Sequence, residues 1–92
     1  MKETWLPRGL IFISREGRFR KELHELGLRI AYYRKRQELS QEALSEAVGI
    51  SRSYLSKIER ADVKSISLIT IMDIAIGLNV KLGDLLRLDE DM

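Results

Sequence analysis

From Lys21 onward, apolar side chains recur three and four positions apart: Leu23, Leu26, Ile30 and Tyr33 form one stripe. One stripe with a period near 3.6 predicts an amphipathic helix over 21–36. The rhythm resumes on two shorter segments. Leu44, Ala47, Val48, Ile50, Leu55 and Ile58 take inward positions, whereas Gln41, Ser51, Arg52, Ser53, Ser56, Lys57 and Arg60 are left facing out. This predicts helices over 41–48 and 52–60. A richer apolar run predicts a fourth helix over 68–78, and a fifth short one is expected over 81–86. Ser40, Ser51 and Ser67 stand where N-caps belong. Gly49 and Asn79 suit the left-handed conformation that ends a helix. Gly83 and the lack of a capping side chain at Lys81 count against the last helix. Residues 61–66 read as a loop.

Residues 1–20 follow no such rhythm. They hold Pro7, Gly9, Gly17 and the strand-like run Leu10–Ile13, and read as an N-terminal arm. The expected organisation is an arm over 1–20, a helical domain over 21–88 and an acidic tail over 89–92. Five helices with short connections make an all-α bundle.

The two segments around Gly49 carry a more specific message. Two short helices locked by their apolar faces across a tight turn, the second presenting a polar face, have the helix-turn-helix geometry. In it the second helix lies in the major groove of double-stranded DNA.

Composition narrows the alternatives. Ninety-two residues, 45% hydrophobic and 33% charged, fit one globular domain rather than a disordered chain. A core of this size is only marginally stabilising. With no cysteine in the sequence, neither disulfides nor thiolate metal sites reinforce it. Dimerisation would help, so a homodimer is expected. The absence of cysteine fits a reducing, cytoplasmic setting. No apolar run approaches the ~20 residues that span a membrane, and Leu10–Ile13 is too short for a signal peptide. His24 is the only histidine, and no Gly-rich phosphate loop or metal-ligand spacing is present. No enzyme, cofactor or metal site is expected. Charge is divided: residues 1–37 carry ten Lys/Arg against four Asp/Glu, residues 38–92 six against ten. The basic half suits phosphate, and the acidic tail is expected to stay away from it.

The motifs LGLRIAYYRKRQELSQEAL, VGISRSYLSKIER and SLITIMDIAIGLNVKLGDLL, in that order, resemble the phage-repressor (Cro/C1-type, Xre-like) helix-turn-helix domain. The resemblance runs from Gly27 to Leu86, about two thirds of the chain. It implies a compact lambda-repressor-like bundle that regulates transcription. It implies that Gln41, at the start of the second helix, meets a DNA phosphate and braces the recognition helix. Ser51, Arg52, Ser53 and Tyr54 match the recognition helix's first turn, with Ser56, Lys57 and Arg60 further along its outward side. Arg52 is the foremost candidate for base readout, because a guanidinium can bond guanine O6 and N7 together. Tyr54 matches a position able to touch a thymine methyl or donate to phosphate. Arg34 and Glu59 match an ion pair that joins the first helix to the third without touching bases. RSYLSKIER followed by SISLITI is, within the family, similar to the controller proteins of restriction–modification systems, which are small homodimers.

Three departures from the family pattern carry expectations. Glu38 replaces a usual glycine, which implies strain or a different turn. Lys81 replaces the usual cap of the fifth helix. Ile69 and Ile76 occupy usually polar positions and flank Asp73, and their spacing puts all three on one outer face. An apolar strip outside the core marks a partner surface, either a second subunit or the arm with Trp5, Leu10, Phe12 and Phe19. The subunit is the preferred reading. The competing function is an antitoxin-like protein-interaction module whose arm binds a partner protein by strand addition through Leu10–Ile13.

Overall fold

The computed structural model describes residues 19–87, and within them the chain forms five helices and no strand. They are α1 (Arg20–Arg36), α2 (Gln41–Val48), α3 (Arg52–Glu59), α4 (Leu68–Leu78) and α5 (Leu82–Leu86). The helices expected over 41–48 and 68–78 have those bounds, and the others differ by one residue at an end. α1 begins at Arg20, so the helical domain takes one residue from the expected arm. The expectations for the strand-like run, for Trp5 and for the acidic tail lie outside the described residues.

α1 packs on α3 and α5, α2 on α3 and α4, and α5 also on α4. Every helix sends at least one side chain to the common centre. Ile30, Leu44, Leu55, Ile74, Leu78 and Leu85 are fully buried. The core is therefore shared by all five helices, and none can leave without opening a cavity. No helix among the described residues is long and apolar enough to cross a membrane.

The serine caps are formed. The Ser40, Ser51 and Ser67 hydroxyls accept from the backbone N–H groups of Ala43, Tyr54 and Thr70 respectively, at 2.9, 3.0 and 3.0 Å. Gly49 closes α2 with φ 85°. Its N–H and that of Ile50 both bond the Ser45 carbonyl, which turns the chain directly into α3. Asn79 ends α4 with φ 58°.

The expected inward place of Ala47 and the expected end of α3 need correction. Ala47 is exposed, and Ser45 takes the inward place instead. Ser45 is tolerated there because its hydroxyl donates to the Glu42 carbonyl at 2.9 Å. α3 ends at Glu59, and Arg60 is its C-cap. α5 does form although Lys81 offers no acceptor. The cap is made in reverse, with the Asp84 carboxylate accepting from the Lys81 backbone N–H at 3.0 Å. Glu38 adopts φ 59°, the left-handed conformation that a glycine would take without strain. Ile69, Asp73 and Ile76 are all exposed on one face of α4, and Leu68 and Met72 extend the apolar area beside them.

Two glycines set helix separations. A β-carbon on Gly27 would lie 2.6 Å from the carbonyl oxygens of both Ile58 and Glu59, so α1 touches the end of α3 backbone to backbone. A β-carbon on Gly77 would lie 2.9 Å from Val48 Cγ2, which brings α4 close to α2.

Candidate nucleic-acid interface

α3 is divided lengthwise. Leu55 and Ile58 point into the core, and Tyr54 is half-buried with its ring packed against the same cluster. Arg52, Ser53, Lys57 and Arg60 are exposed, with Ser56 half-buried between them. Positions 52, 53, 56, 57 and 60 share one helix face by their spacing. Gln41, at the first turn of α2, approaches this face. Gln41, Arg52, Ser53, Ser56 and Arg60 together line an open concavity of about 290 Å³. Ser51 stands outside it, its hydroxyl engaged as the cap of α3. Tyr54 is turned toward the core rather than brought onto the polar face.

Arg60 is held along the helix. Its Nη1 donates to Ser56 Oγ at 2.7 Å, and its Nη2 lies 3.8 Å from the Asp62 carboxylate. Both groups of the latter pair are exposed, so it contributes little. Arg52 and Lys57 project into solvent, and the face is cationic overall.

Beneath the face lies a junction of four segments. Arg34 Nε donates to Glu59 Oε2 at 2.7 Å and Arg34 Nη2 to Glu59 Oε1 at 3.0 Å. Arg34 Nη1 donates to the Leu39 carbonyl at 2.8 Å. Gln41 Nε2 donates to Glu59 Oε1 at 3.0 Å. The Arg34 and Glu59 side chains are only 10% and 6% exposed, so this pair is desolvated and bidentate. It joins the last turn of α1, the α1–α2 loop, the start of α2 and the end of α3. Among the described residues no buried side-chain polar atom lacks a partner.

Sequence reasoning passes over two further polar residues. Arg29 Nη1 donates to the carbonyls of Leu85 and Leu86, both at 3.2 Å, and so closes the end of α5. Gln37 Nε2 donates to the Leu78 carbonyl at the end of α4. Both acceptors are backbone groups far along the chain, which no side-chain pattern announces. Among the described residues no group of His, Asp or Glu is arranged to hold a metal ion.

The sequence profile of the helix-turn-helix family matches residues 30–85, more than half the chain. Two solved structures resemble the fold. One is the restriction-modification controller protein C.AhdI from Aeromonas hydrophila, 32% identical, with a TM-score of 0.68, covering 71% of this chain and 97% of that one. The other is the N-terminal DNA binding domain of SinR from Bacillus subtilis, 36% identical, with a TM-score of 0.64, covering 68% of this chain and 91% of that one. A comparison with curated proteins finds no match.

Proposed function

Since the chain belongs to the helix-turn-helix family of Cro/C1 type, we propose that it is a DNA-binding transcription regulator that acts as a homodimer on a near-palindromic operator. The observation that carries this reading is the polar, cationic outer face of α3, with Gln41 beside it and the whole face fixed from below by Arg34 and Glu59. Double-stranded DNA is the partner. Arg52 and Ser53 enter the major groove first, and Lys57 follows one turn later. Arg52 reads a base, because its guanidinium projects from the exposed first turn. Gln41, Ser56 and Arg60 serve the phosphates, where position matters more than sequence. Ser51 contributes as a cap and Tyr54 through the packing of its ring. Arg34 and Glu59 orient α3.

The outer face of α4 supports the homodimer. Ile69 and Ile76 are 71% and 76% exposed with Asp73 between them, an apolar strip that a second copy would cover. Two copies related by a two-fold axis would place their α3 helices roughly 34 Å apart, one turn of DNA. The likeness to a restriction-modification controller supports a regulator of transcription, acting in the cytoplasm where its operator lies. No observation among the described residues favours the antitoxin-like alternative, because the arm it depends on lies outside them.

Selection of bound fragments from a random duplex pool tests the proposal. The expected result is a motif with two related half-sites about one helical turn apart. Recovery of no motif, with no binding at low salt, would overturn it.

A further inference from the structure

The Glu59 carboxylate does more than pair with Arg34. Its Oε1 also takes an N–H from the Gln41 amide, and its side chain is 6% exposed, so little water competes for it. An ionised carboxylate only accepts hydrogen bonds. Gln41 must therefore present its nitrogen to Glu59 and not its oxygen, which settles an orientation that a side-chain amide could otherwise take either way. The two N–H bonds of an amide diverge, so the second points away from Glu59. Gln41 lines the concavity with Arg52, Ser53, Ser56 and Arg60.

We infer that Glu59 is a positioning residue for DNA backbone binding: it locks the Gln41 amide with one N–H inward and aims the other at a phosphate oxygen. The inference rests on the DNA-binding reading above and deepens it. A phosphate oxygen is also purely an acceptor, so an amide turned the other way would present oxygen to oxygen. Arg34 is not the donor presented at the surface: it lies 8% exposed beneath the face, with Nε and Nη2 on Glu59 and Nη1 on the Leu39 carbonyl. One carboxylate thus ties α1 to α3 and at the same time sets the donor on α2.

A double-mutant cycle separates this role from simple support of the fold. The four proteins are the wild type, Gln41→Met, Glu59→Gln and the double variant, each compared at a low temperature where circular dichroism shows native helix content. The readout is affinity for an operator recovered by selection and for an unrelated duplex. Gln41→Met is expected to bind both duplexes roughly tenfold more weakly, the loss of one charge-assisted bond, with the preference between duplexes unchanged. Glu59→Gln is expected to lose at least as much, because it also loosens α3, and the double variant is expected to be no worse than Glu59→Gln alone. In the duplex-free wild type, NMR is expected to show two resolved Gln41 side-chain amide protons, one slow to exchange, and Glu59→Gln should abolish that protection. Additive losses in the double variant, or an unprotected Gln41 amide in the wild type, would overturn the inference. A protected amide in a wild type that binds no duplex at low salt would overturn the DNA-binding reading instead, and the phosphate contact with it.

Discussion

Arg34 and Glu59, 25 residues apart in sequence, meet through two hydrogen bonds of 2.7 and 3.0 Å. Both side chains are nearly desolvated. Removing one partner would leave the other charged and buried, which costs on the order of 3–5 kcal/mol. Arg34→Ala would also release the Leu39 carbonyl. Urea denaturation followed by circular dichroism should show a loss of that order for Arg34→Ala, and a lower melting temperature for Glu59→Gln. An unchanged midpoint in both variants would mean that the pair does not hold α1 to α3.

Gly27 and Gly83 should respond oppositely to alanine. At Gly27 a β-carbon would meet two backbone carbonyl oxygens at 2.6 Å, and backbone gives way only by moving α1 off α3. Overpacking of this kind costs about 1–3 kcal/mol. At Gly83 a β-carbon would meet nothing within 4 Å. There the helix preference for alanine should raise stability by up to about 1 kcal/mol. Thermal melts of Gly27→Ala and Gly83→Ala should shift in opposite directions.

Glu38 has φ 59°, a conformation that costs a residue with a β-carbon roughly 1–2 kcal/mol. Glycine relieves that strain but adds entropy to the unfolded chain, about 0.5–1 kcal/mol. Glu38→Gly should therefore be stabilising by a few tenths to about 1 kcal/mol, read as a higher urea midpoint with an unchanged slope. A lower midpoint would show that the Glu38 side chain contributes more than its backbone strain removes.

Ile69→Lys should separate subunits without unfolding them. The side chain is mostly exposed in one copy, so the charge is tolerated there, whereas a covering second copy would have to desolvate it. Sedimentation should show weaker association at unchanged helix content. A wild type that remains monomeric at high micromolar concentration would sink the dimer.

Arg52→Ala and Lys57→Ala test the reading face. Loss of a base contact at Arg52 should cost about 1–3 kcal/mol and relax preference at one position of each half-site, whereas loss of a phosphate contact weakens all sequences alike. Binding should fall steeply with salt, because lysines and arginines release counterions from the phosphates. If both variants kept wild-type affinity and preference, α3 would not be the reading element.

The five helices were legible in the chain because their causes are local. A stripe of period 3.6 marks a helix whatever it packs against, and a serine cap or a left-handed Gly49 or Asn79 acts within a few residues of itself. The polar face of α3 followed from the same periodicity. Ala47 and Ser45 lie about 200° apart around α2, and it is the alanine that is exposed and the serine that is buried. Their burial is set by where α3 and α4 lie, not by hydrophobicity.

What the sequence by itself determined is therefore the set of elements, their ends and the outward side of α3. Tertiary structure alone decided how those elements are fastened. Gln37 reaches the Leu78 carbonyl and Arg29 the carbonyls of α5, across 41 and 56–57 residues, and Gln41 turns its amide onto Glu59. Gly27 admits the end of α3 against α1. These bonds join side chains to groups that become neighbours only after the chain has closed. A pattern read along one dimension carries the period of each helix, but not the distance between two of them.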